Sequence, residues 1–287
     1  MGKTIKENWN SIISKKLKEG TKIKDLAHRY QDDIVIEPNV MSIDIVNVKQ
    51  ILSQKECVSM AAITQGNDIQ KNKSALLALS QGANGLSIAI NQADDLDIIF
   101  KNILTEYIDV VLTVDNNNNE AQKWLKNCQL TNVRIVSNSE IITIVQDMPL
   151  SIIGHNIAAI DNKKHVVIEV YIGKNILFEI AKLRAIRIIC DKGGYSITVV
   201  AKYLIDGHNE LGDYNLIEKT YKVYSAIIGG ADVIVTDYKG DEESRLALNI
   251  YNVLDLESGI KTVFDPTAGA YYIEKLTTEI INKIENY

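Results

Sequence analysis

Residues 165–203 read HVVIEVYIGKNILFEIAKLRAIRIICDKGGYSITVVAKY, and the order of residue types in that stretch decides the fold. Its two ends, 165–172 and 197–203, are short β-branched runs with little alternation, while 175–190 returns apolar residues every three to four positions. Near-continuous hydrophobicity marks a strand covered on both faces, and the longer period marks a helix. Strand, helix and strand in succession make a crossover unit of a parallel sheet.

Working outward, six more runs carry the strand signal: 57–64 (CVSMAAIT), 86–91 (LSIAIN), 109–115 (DVVLTVD), 133–138 (VRIVSN), 150–155 (LSIIGH) and 232–238 (DVIVTDY). Helical periodicity fills 68–79, 94–107, 119–127, 213–228 and 241–256, and several of these stretches open on Asp or Asn, which cap exposed amides. Eight strands close a barrel, so the fold class expected is α/β, a (β/α)8 TIM-type barrel over residues 51–287. It is trimmed around strands 4 to 6, because the intervals 139–149 and 156–164 are only 11 and 9 residues long and a crossover usually needs a dozen or more. An open sheet with fewer helices is the structural alternative. Residues 1–50 form an N-terminal arm with an amphipathic helix around 9–17, expected to cover the bottom of its own barrel or, failing that, to dock on a partner.

Composition narrows the function. The chain has 287 residues, 46% hydrophobic and 24% charged, with a net charge of -6. No apolar run approaches the roughly 20 residues of a spanning helix, and residues 1–25 lack a secretory signal, so a cytoplasmic location and no membrane are expected. The acidic balance argues against nucleic acid as a partner. Cys57, Cys128 and Cys190 are far apart and read as buried apolar residues rather than a disulfide or zinc motif.

In a barrel of this kind the reactive face is the C-terminal end of the strands, which would present Thr64, Asn91, Asp115, Asn138, His155 and Asp237. Asp115, His155 and Asp237 have the chemistry of an acid/base set, yet their spacing carries no metal signature, so no metal site is assigned. Neither a phosphate-binding loop nor a nucleophile elbow is present in the sequence.

Three ordered blocks carry a resemblance. The first is 173–187, GKNILFEIAKLRAIR; the second is 213–220, DYNLIEKT, followed by 226–232, AIIGGAD; the third runs from 245–250, RLALNI, through Glu257 and Ser258 to 264–274, FDPTAGAYYIE. Together they resemble the methylmalonyl-CoA mutase family, with a weaker likeness over 67–90. That resemblance implies a barrel that threads a coenzyme-A substrate along its axis, with a separate C-terminal domain that brings adenosylcobalamin to the mouth. The chain ends at Tyr287, so that domain is not expected here, and the sequence around 206–212, DGHNELG, only imitates a cobalt-ligand motif.

Residue by residue, the catalytic pattern is thin. The first strand has no Arg or Tyr, and the seventh has no H-S-Q-T-S. At 151–157, SIIGHNI resembles the family's S-I-S-G-Y-H-M, which puts His155 at the family Tyr and Asn156 at the family His. Asn175 and Glu179 match positions that contact the adenosyl ribose, although capping and ion pairing explain them equally well. The resemblance implies a small, noncatalytic subunit of an adenosylcobalamin-dependent isomerase that interconverts methylmalonyl-CoA and succinyl-CoA. No cofactor is then expected on this chain; adenosylcobalamin sits in the partner, a large catalytic subunit in a heterodimer, or the chain forms a homodimer. The alternative is a stand-alone barrel that binds or acts on an acyl-CoA or another small ligand.

Overall fold

The structure, a computed structural model, describes residues 2–45, 57–114, 119–128, 132–160, 165–203, 212–263 and 265–286. Eight parallel strands form one sheet: β3 (Val58–Ile63), β4 (Gly85–Ile90), β5 (Asp109–Val114), β6 (Val133–Ser137), β7 (Ile141–Ile144), β8 (Val166–Tyr171), β9 (Ile197–Lys202) and β10 (Val233–Asp237). Two short strands of the arm, β1 (His28–Arg29) and β2 (Val35–Ile36), pair antiparallel outside it. The sheet order β6-β5-β4-β3-β10-β9-β8-β7 joins the first and last barrel strands through the β3–β10 ladder, and the sheet curls into a nearly closed TIM-type barrel flanked by helices.

Seven of the eight expected strands lie where their apolar runs place them. The fifth does not. Residues 150–155 belong to helix α5 (Leu150–Ala158), and the strand is the earlier run Ile141–Ile144. Leu150, Ile153 and Ile157 are buried at helical spacing, and Pro149 stands at the cap, where its fixed φ starts a helix and no amide is lost. A six-residue apolar run is compatible with either period, and the tertiary face decides. The predicted helix over 94–107 also shrinks, to α3 (Leu96–Ile99) and a 3-10 turn at Thr105–Tyr107, with Asn102 at φ 63 between them.

Trimming of the barrel is therefore concentrated at one place. β6 and β7 are linked by the three-residue 3-10 turn Asn138–Glu140, with no α-helix and no ladder between them. Three residues span about 10 Å and cannot return the chain to the start of the sheet, so β7 begins near the height at which β6 ends. The barrel has a seam there.

Alternate residues divide the apolar groups between two outer clusters and the inside of the barrel. Leu86, Ile88, Val110 and Leu112 point outward to pack with Ala75 and Ala78 of α2 (Asp68–Ser80). Ile144, Ile168, Val170 and Val199 pack with α5, α6 (Ile176–Gly193) and α9 (Tyr271–Glu285). Met60, Ala62, Val136, Val167, Val200, Val233 and Val235 line the inside. The remaining helices, α4 (Asn119–Cys128), α7 (Gly212–Gly229) and α8 (Glu242–Asn252), complete the outer ring.

The arm packs on its own barrel, at a different place from the expected one. Helix α1 (Gly2–Lys16) is tied back by Lys6 to Asp44 (2.8 Å) and Glu37 (3.0 Å). Ile34 and Ile36 enter the core beside α9, Tyr30 stacks on Phe178 (5.6 Å) and bonds the Tyr272 hydroxyl (3.0 Å), and Asp32 accepts the Leu150 amide (3.0 Å). These partners head α5, α6 and α9, so the arm lies against the outer helices near the C-terminal side of the strands and not under the bottom. Asp and Asn caps occur as the sequence suggests: Asn67, Asp95, Asn175 and Asp241 each accept an amide of the helix they open.

Candidate functional site

At the C-terminal end of the strands the candidate residues do not converge. Asp237 ends β10, exposed, with Lys239 at 4.0 Å. Asp115 lies outside the described residues. His155 and Asn156 are on the outer helix α5 and not at the mouth: His155 Nδ1 bonds the Ser151 carbonyl one turn back (2.9 Å), and Asn156 faces the Met148 sulfur (3.8 Å). Their displacement follows directly from the exchange of strand and helix at 141–158. Among the described residues no group of three His, Cys, Asp or Glu side chains gathers as a metal site.

Asn175 and Glu179 do stand at the head of α6, above β8. Asn175 Oδ1 accepts the Phe178 amide (3.2 Å) and is thereby the helix cap. Glu179 is 3% exposed and pairs with Lys182 at 2.7 Å. Burial pushes its carboxyl above the ordinary range, against the opposing pull of the Lys182 ammonium and the Gly173 amide. A Cβ on Gly173 would come within 2.9 Å of Glu179 Oε1, so the glycine makes room for the carboxylate. Asn175 thus gives its amide oxygen to the cap, and the Glu179 carboxylate is closed into a buried pair. The rest of α6 is equally inward-looking: Arg184, fully buried, bonds Asp265 and Thr267 and reaches Glu274 (3.3 Å), and Arg187 holds Asp232 at 2.6 Å.

The open space of the molecule is inside the barrel. A cavity of about 600 Å³ is walled by Met60, Val111, Val136, Val167, Val200 and Val235, well within the size of small-molecule sites. Its polar rim is made of residues at the beginnings of strands, namely Asp109, Asn132, His165 and Asp232, together with Arg134 and Glu140 beside the seam. The cavity therefore opens at the N-terminal end of the strands, opposite to the face where barrel enzymes place their chemistry. One layer toward the other end, Lys202 pairs with Glu169 at 2.6 Å inside the barrel.

Most rim groups are already engaged. His165 Nδ1 bonds Ser196 Oγ (2.8 Å) and its Nε2 bonds Thr198 Oγ1 (2.9 Å). Asp232 also accepts the Val199 amide (2.8 Å), and Glu140 accepts that of Ser137 (3.3 Å). Sequence reasoning looked only at strand C-termini and so passed over Arg134 and Glu140. The period-2 alternation of β6, which puts Arg134 on the face of Val136, was the available signal.

Comparison with known proteins agrees with the resemblance read from the blocks. The family model described as methylmalonyl-CoA mutase matches residues 209–287. A methylmalonyl-CoA mutase of Rhizobium meliloti (strain 1021) is 31% identical over 130 residues, covering 39% of this chain and 18% of that protein. A methylmalonyl-CoA mutase small subunit of Porphyromonas gingivalis (strain ATCC BAA-308 / W83) is 33% identical over 133 residues, 38% of this chain and 21% of the relative. A 2-hydroxyisobutanoyl-CoA mutase large subunit of Aquincola tertiaricarbonis is 32% identical over 77 residues, 24% of this chain and 14% of the relative. These alignments span about a fifth of the relatives' length or less. Residues 209–287 thus match the methylmalonyl-CoA mutase model, and over part of its length the chain is similar to those mutases, one of which is a small subunit.

Proposed function

We propose that this chain is a small, noncatalytic subunit of an adenosylcobalamin-dependent mutase acting on methylmalonyl-CoA, and that it supports assembly of a large catalytic chain which holds the cofactor. The observation that carries the reading is the state of Asn175 and Glu179, the two positions that match the family's cofactor contacts: one caps α6 and the other is buried on Lys182. A barrel whose inner wall is mostly Val, with Lys202 paired to Glu169 on the neighbouring strand, supports the same reading. Co-expression with a large mutase chain, followed by light scattering on the purified material, tests it. A stoichiometric complex is expected, with no turnover of methylmalonyl-CoA by the small chain alone. A large chain that assembles and reacts equally well without this one would sink the proposal, and a homodimer in the same measurement would redirect it.

A second reading, a barrel that binds an acyl-CoA or another small ligand by itself, is favoured by one observation, the cavity of about 600 Å³ open at the N-terminal end.

A further inference from the structure

Resting on that second reading, we infer that the barrel cavity takes a linear carboxylate with an apolar tail, entering at the N-terminal end with its head on Arg134 beside the seam. The walls are mostly alkyl: Met60, Val111, Val136, Val167, Val200 and Val235 offer dispersion contacts, and of the polar side chains between them Glu169 is paired with Lys202 and Thr198 with His165, while Ser87 and Thr113 are small neutral hydroxyls. Specificity therefore has to come from the rim.

Among the described residues that line the cavity Arg134 is the sole Lys or Arg. It is exposed, it shares a face with Val111 across the β5–β6 ladder, and among the described residues it is in no ion pair. The carboxylates around it are differently placed: Asp232 is held by Arg187, Glu169 by Lys202, and Glu140 by the Ser137 amide, while Asp109 sits exposed at the first position of β5. A guanidinium presents a planar fork suited to two carboxylate oxygens, and His165, with both ring nitrogens bonded to hydroxyls, stays structural.

The seam supplies the reason that such a group is reachable. Because Asn138–Glu140 is a single 3-10 turn, no α-helix crosses between β6 and β7, and Arg134 on the free edge strand both lines the cavity and is exposed.

Titration calorimetry with decanoate, decanol and decanoyl-CoA on the whole chain, and on Arg134→Gln, tests this. Saturable binding of decanoate is expected, weakened about tenfold or more by Arg134→Gln with an unchanged melting temperature, as loss of a charge-assisted pair implies; decanol is expected to bind both proteins alike. Val235→Phe, which fills the cavity, is expected to abolish binding. Should that variant not fold, Arg134→Gln and the decanol comparison still decide. Decanoate binding that ignores Arg134→Gln overturns the assignment of the head group. Binding of decanoyl-CoA without decanoate overturns the ligand class while leaving the second reading in place. No binding of any of the three overturns both.

Discussion

Glu179 and Lys182 show how much of this protein's charge is turned inward. Since burial raises the Glu179 carboxyl above its unfolded value, the native state holds that proton more tightly than the unfolded chain does. Its share of stability is then complete below the ordinary carboxylate range, about pH 4.3, and is lost as pH rises toward the raised native value. Glu179→Gln is expected to flatten that part of a urea-midpoint profile against pH, and an unchanged slope would contradict it. Arg184 lies between Asp265 and Glu274 with no exposure, so Arg184→Met strands two buried carboxylates. A loss of about 3–5 kcal/mol is expected in equilibrium unfolding. Cys57 and Cys190 are pushed up to about 12 by burial and are therefore protonated at neutral pH. Peptide mapping after iodoacetamide treatment should find both unmodified in native protein and modified after denaturation.

Among the elements, α5 is the one that decides the rest. Gly154 lies where α5 crosses α9, and a Cβ there would stand 2.5 Å from the Ile284 carbonyl oxygen. Gly154→Ala is expected to destabilise by about 1–3 kcal/mol in chemical denaturation, a cost of overpacking that a strand at 150–155 would not incur. The misreading at this point has a physical cause. LSIIGH and IITI are both short apolar runs, and only the buried set Leu150, Ile153 and Ile157 distinguishes them. By contrast, strands such as Val166–Tyr171, flanked by a capped helix on a 3.6 period, were legible because strand and helix signals confirm each other. Asn175 was legible as a cap for the same reason. Arg134 was not: alternation puts it on the face of Val136, but which face of an edge strand becomes the inside depends on how the barrel curls.

At the scale of the whole molecule, the chain keeps a TIM-type barrel while the polar groups at the head of α6 cap that helix and close a buried pair. The seam gives this architecture a further property. β3 to β6 and β7 to β10 are consecutive in sequence and consecutive in the sheet, so each half is a four-stranded unit, joined to the other through the ladder from Val58–Val233 to Ala62–Asp237, through one short turn, and through side-chain contacts such as those of Tyr30 with Phe178 and Tyr272 and of Tyr251 with the Cys57 carbonyl. A cut at Ser139 breaks no strand pairing. The two fragments, 1–138 and 139–287, are expected to reassemble on mixing and to recover the circular dichroism of the intact chain, which makes the turn at Asn138–Glu140 a natural place to split this barrel into complementing halves.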